Sequence, residues 1–161
     1  MWTAASEFDS RPLLPPQEVE MGCDIHPLMF VNMGDSELQS WQFVAVPPSN
    51  RNYAFFGALA GVRDEHVPVV KEPVGFPRWF KDREFDVFRH SEWPMPGVSM
   101  EHTPSWVSLA DMHKHLAKLD GVVGTDTLGA WHQWIELMEY YRDAYGITHN
   151  EGVVIVFDFD S

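Results

Sequence analysis

The sequence predicts an α+β fold for residues 21–161, a small and mostly antiparallel sheet with helices packed on one face. Three observations carry this. An apolar stretch suited to a strand opens the patterned region at Cys23–Val31. A second one, Val153-Val154-Ile155-Val156-Phe157, closes it with the β-branched density of a central strand. Between them lie three helical patterns, a short one after Asn52 and two longer ones after Ser108.

Taken in order, Cys23–Val31 is the first strand, with Pro27 removing one ladder donor, so it is expected at an edge or bulged there. Trp41–Val46 is a second strand, ended by Pro47-Pro48. Asn50 or Asn52 then caps a short apolar helix through Tyr53, Phe55, Phe56, Leu59 and Val62. Residues 63–103 carry scattered prolines and little periodicity, the pattern of an irregular segment that is functional or wraps the core. Ser108 and Asp111 form a capping-box pattern for a helix with Leu109, Met112, Leu116 and Leu119 on one face. Gly121 and Gly124 interrupt it, and a longer helix runs from about Thr127 to Tyr145, with Trp131, Ile135 and Met138 inward and Gly146 as its stop. Glu151–Phe159 is the closing strand.

The chain has 161 residues, room for one ordinary core. Residues 1–20, with Arg11-Pro12-Leu13-Leu14-Pro15-Pro16, read as a flexible tail preceding a single domain over 21–161. A formal net charge of −13 argues against broad nucleic-acid binding or attraction to anionic lipid. One cysteine, Cys23, excludes an internal disulfide, and no stretch resembles a membrane span or signal peptide, so a cytoplasmic protein is expected. The partners this leaves are another protein or a small ligand.

The chemistry-bearing run is Met21-Gly22-Cys23-Asp24-Ile25-His26. On a strand, Asp24 and His26 share one face while Cys23 and Ile25 take the other. A carboxylate beside an imidazole supplies two ligands for a divalent ion such as Zn²⁺ or Mn²⁺, or a base and the group that orients it. His102 is the expected third metal ligand, with His90 as second choice, and the alternative is a structural polar pair. Cys23, facing away from His26, reads as a buried and inert thiol. His113-Lys114-His115 cannot share a metal, because alternate residues of a helix point about 200° apart. The segment Val154–Asp160 imitates the nucleophile strand of haloacid-dehalogenase-like phosphatases, which ends Asp-x-Asp, but lacks the βα series that follows it in that fold. Asp158 and Asp160 are expected at a solvated strand end, the alternative being that these two carboxylates share a divalent cation with Asp24.

The opening hexapeptide, Arg51-Asn52-Tyr53, Phe56-Gly57-Ala58-Leu59-Ala60-Gly61-Val62-Arg63, His102-Thr103-Pro104-Ser105-Trp106 and Val156-Phe157-Asp158-Phe159-Asp160 together carry a resemblance. On these segments the chain resembles a family of uncharacterised bacteriophage and bacterial proteins that begin Met-Gly-Cys-Asp-Ile-His. The resemblance implies that residues 1–20 lie outside the shared domain. It implies no activity. The expectation drawn from the residues is a metal-dependent hydrolase of a phosphoester or nucleotide, with Asp24, His26 and His102 holding the ion and Arg63 neutralising substrate charge. The alternatives are a non-enzymatic accessory protein and a virion or assembly component.

Overall fold

The computed structural model describes residues 22–35, 39–80 and 102–160; the predicted tail and His90 lie outside them. Four antiparallel strands form one sheet in the order β2-β1-β4-β3, with β1 Asp24–Asn32, β2 Trp41–Ala45, β3 His102–Ser108 and β4 Val153–Asp160. Three helices, α1 Tyr53–Ala60, α2 Leu109–Leu119 and α3 Thr125–Ala144, complete the described α+β fold.

The period of two along the strands divides the apolar residues into two clusters. Ile25, Met29 and Val31 of β1 and Val153, Ile155, Phe157 and Phe159 of β4 pack with the helices. Phe30, Val154 and Val156 point to the opposite face, where Phe76, Trp79 and Phe80 cover them. Burying both faces explains why β4 reads as an almost continuous apolar run.

Local chemistry sets the helix boundaries. Asn52 caps α1 by accepting the Phe55 N–H at 3.0 Å, and Gly61 ends it in the left-handed region at φ 70°. Gly57 sits inside α1 because a Cβ there would lie 2.5 Å from the Asp64 carbonyl oxygen, so only glycine lets the following loop fold back onto the helix. Ser108 and Asp111 close both halves of the predicted capping box at 3.0 Å each. On α2 the buried histidine is His115, which hydrogen-bonds the Pro68 carbonyl at 2.7 Å, whereas His113 pairs with Glu139 at the surface.

Two expectations need correction. His102 and Thr103, expected in the irregular segment, open β3, which runs to Ser108 where no strand was expected. Its signal is broken by Pro104 and by a bulge, with His102 opposite Phe159 and Ser105 opposite Phe157. β1 is an interior strand, but β2 pairs only with Met29–Asn32, so Pro27 lies where β1 has no neighbour on that side. The missing donor therefore costs no ladder bond.

Burial lowers the pKa of His115, against the raising effect of its bond to Pro68. A base with a depressed folded pKa is neutral in both states at high pH. As pH falls below the unfolded value near 6.5, the unfolded chain takes up the proton first, so stability is lost down through the folded value. Thermal melts from pH 7.5 to 5 are expected to show a falling midpoint. That slope should flatten in His115→Gln, even though the variant starts from a lower midpoint.

Candidate functional site

The candidate site lies on the sheet face away from the helices, at the end where β1 begins and β4 finishes. In the β1–β4 register Asp24 faces Asp160 and His26 faces Asp158, which places three carboxylates and an imidazole on one patch. Asp160 organises it. Its Oδ1 accepts the backbone N–H of Asp24 at 3.0 Å, and its Oδ2 lies 2.8 Å from His26 Nε2. The imidazole thus reaches its diagonal neighbour rather than the residue directly across, a span that long side chains on paired strands can cover. Asp158 is almost fully buried, at 2% exposure. Asp160 is engaged and Asp158 enclosed, so neither belongs to the solvated strand end expected from the sequence.

Asp24 is turned to a different partner. Arg51 grips it with Nε on Oδ1 and Nη2 on Oδ2, both at 2.9 Å. The hydrogen bond from Arg51 is the main cause holding the Asp24 carboxyl below its ordinary pKa, opposed by partial burial. Both side chains are 52% exposed, so the pair adds little stability and acts chiefly to position the chain. Gly22 is part of the same arrangement. A Cβ there would collide with the Arg51 guanidinium, so glycine leaves room for the fork to reach Asp24. The loop bearing Arg51 is fixed at both ends, by Trp134 Nε1 donating to the Pro48 carbonyl at 2.8 Å and by Thr127 donating to Asn52 at 3.2 Å.

The predicted third ligand is elsewhere. His102 pairs with Phe159, whose ring belongs to the helix-side core, and its imidazole stacks on that ring at 6.1 Å. Its Nδ1 lies 2.8 Å from Thr103 Oγ1. Asp24 and His26 therefore share one face, as the pleat requires, and His102 is on the other. Among the described residues no group of three or more His, Cys, Asp and Glu is placed to hold a metal ion. The set Asp24, His26 and His102 is accordingly not assembled. The carboxylate of Asp24 is engaged by Arg51 and the Nε2 of His26 by Asp160.

Arg63, the expected substrate-charge partner, has a structural setting too. Its guanidinium lies 5.9 Å from the centre of the Tyr53 ring and hydrogen-bonds Cys23, and its backbone is in the left-handed region at φ 66°. Cys23 is fully buried, and that burial pushes its thiol up from the ordinary value despite the bond from Arg63. Native protein at pH 8 is therefore expected to resist a thiol-reactive chromogenic disulfide and to react fully once unfolded in guanidinium. Rapid labelling of native protein would contradict the burial.

Beside the imidazole lies a cleft of about 200 Å³ lined by Leu28, Val46, Ser49, Phe76, Phe80 and Val156, with His26 in its wall. His26 Nδ1 has no hydrogen-bond partner among the described residues. If the Asp160 carboxylate accepts the Nε2 proton, the Nδ1 lone pair is left to take one from a bound molecule.

No family model, curated protein or solved structure matches the chain. Function is therefore argued from the site itself. Among the described residues no helix is long and apolar enough to cross a membrane.

Sequence reasoning found Asp24 and His26 and weighed Asp160 beside Asp24 only as a cation ligand, missing its bond to His26 and the pairing of Arg51 with Asp24. Asp160 carried a signal, because an antiparallel closing strand with carboxylates two apart presents both on one face. Arg51 carried none beyond its place in the resemblance, since its pairing with Asp24 spans 27 residues of sequence.

Proposed function

We propose that the His26–Asp160 pair is an acid–base centre for a small, uncharged ligand seated in the adjoining apolar cleft, of the kind that serves hydrolysis. The observation that supports it is the 2.8 Å contact between His26 Nε2 and Asp160 Oδ2, with Asp160 itself fixed by the Asp24 N–H. A base oriented by a carboxylate that is oriented in turn by the backbone is the arrangement general-base catalysis needs. His26 would withdraw a proton from water or from the Ser49 hydroxyl, which lines the same cleft, and return it to the leaving group. The apolar walls favour an uncharged substrate such as an ester. The nearby carboxylates and the net charge of −13 disfavour a phosphoester, because Arg51 is already bound to Asp24 and Arg63 is stacked over Tyr53.

A divalent ion at Asp24 and His26 would have to displace Arg51 from the one and Asp160 from the other. The metal-dependent phosphoesterase reading is therefore the weaker of the two, and the resemblance to the Met-Gly-Cys-Asp-Ile-His family favours neither.

The test is a comparison of p-nitrophenyl butyrate with p-nitrophenyl phosphate as substrates, with and without Zn²⁺ or Mn²⁺. Turnover of the butyrate that is indifferent to added metal and abolished in His26→Gln supports the proposal. Turnover of the phosphate that requires metal would replace it with the phosphoesterase reading. No turnover of either substrate, or butyrate turnover unchanged in His26→Gln, would sink it.

A further inference from the structure

A second cleft, of about 490 Å³, lies on the same sheet face at the opposite end from His26, beside Val154 and the β3–α2 junction. Among the described residues, three half-buried tryptophans frame it. Trp41 and Trp79 are stacked in parallel, ring centres 4.5 Å apart and planes 11° apart, and Trp106 stands on β3. Such a volume is within the usual range for small-molecule sites.

The polar groups among the indoles are unusual in balance. Lys71 lies 3.3 Å from the centre of the Trp106 ring and 3.3 Å from Asp111 Oδ2, so one cation is held between an aromatic face and a carboxylate. At the rim stand Arg78 and Glu151, both exposed. Among the described residues, two cations are thus matched by two anions. That arrangement gives no net attraction to a phosphate or to a cationic ligand, unlike the one-signed lining expected of a nucleotide or amine site. It offers charged donors and acceptors to hydroxyl groups, which hydrogen-bond to ionised partners more strongly than to neutral ones.

From this we propose that the tryptophan cleft binds a neutral oligosaccharide. The polarised C–H faces of sugar rings would lie against the indole faces that the Trp41–Trp79 stack and Lys71 leave uncovered, since ring faces are the negative end of the aromatic quadrupole. The ring hydroxyls would meet Lys71, Arg78, Asp111 and Glu151. This assignment is independent of the His26 centre and would stand if that centre proved to have no activity.

The experiment is a titration of the full chain by tryptophan fluorescence and calorimetry with cellotriose, maltotriose and triacetylchitotriose, using adenosine and ATP for contrast. Saturable binding of at least one trisaccharide is expected, with neither adenosine nor ATP binding more tightly. Because Trp79 also packs on Phe30 and Phe80 at 5.0 and 6.3 Å, its replacement risks the fold. The rim variants Glu151→Gln and Arg78→Gln are the cleaner probes. Each is expected to leave the melting temperature unchanged and to weaken binding about tenfold, the loss of one charge-assisted hydrogen bond. No saturation by any trisaccharide at tens of millimolar, tighter binding of adenosine or ATP, or binding unaffected by both rim variants would overturn the proposal.

Discussion

Alanine at Trp131 is expected to reduce folding stability by about 3–5 kcal/mol, the range for removing a large aromatic side chain from a packed core. Trp131 is fully buried, and its ring meets Phe55 edge-on at 5.7 Å and His115 at 5.5 Å. These contacts join α1, α2 and α3 at one point, so the cavity left behind opens where three helices meet and none can close it alone. Trp131 Nε1 also donates to the Met112 carbonyl at 2.9 Å, a bond that the truncated side chain cannot replace. With total stabilities of about 5–15 kcal/mol typical of such domains, the variant should lose much of its margin. Denaturant unfolding of the two proteins measures the difference, and a loss under about 1 kcal/mol would mean that the helical layer is not packed as described.

Asparagine at Asp160 is expected to lower turnover of p-nitrophenyl butyrate by about 10²–10⁴-fold, the usual contribution of a positioned acid–base group. The side-chain oxygen of asparagine can still accept the Asp24 N–H, so the end of β4 should stay paired to β1. Its amide, however, is a donor. Presented to His26 Nε2, it favours the tautomer with the proton on Nδ1, the nitrogen that must be bare to act as base. Asp160 is thus a positioning residue, and its replacement should act through His26. A double variant Asp160→Asn/His26→Gln should be no slower than His26→Gln alone. If the losses instead multiply, Asp160 acts on the substrate independently of His26.

How far the fold was legible depended on whether its cause is local. The capping box at Ser108 and Asp111, the Asn52 cap, the Gly61 and Gly146 stops and the apolar run of β4 are each set by residues within a few positions of one another. β3 was hidden because its pairing with β4 depends on a bulge that no local pattern announces, with Thr103 held at φ 55°. Thr103 and Pro104 together occupy the register position opposite Asp158, and that extra residue is what sets His102 on the helix side. The sharing of one face by Asp24 and His26 followed from the pleat alone. Their partners Arg51 and Asp160 are 27 and 134 residues away, and only the β1–β4 register and the fixed loop before α1 bring them in.

The central claim concerns one proton, the one on the His26 ring, and nitrogen NMR observes it without any substrate. Long-range ¹H–¹⁵N correlation of the full chain, with His26 assigned by its absence in His26→Gln, reports the state of each ring nitrogen. The neutral ring should show a protonated Nε2 and a bare Nδ1, and Asp160→Asn should shift the proton toward Nδ1. A neutral ring already protonated at Nδ1, or a tautomer unmoved by Asp160→Asn, would contradict the acid–base role given to this pair.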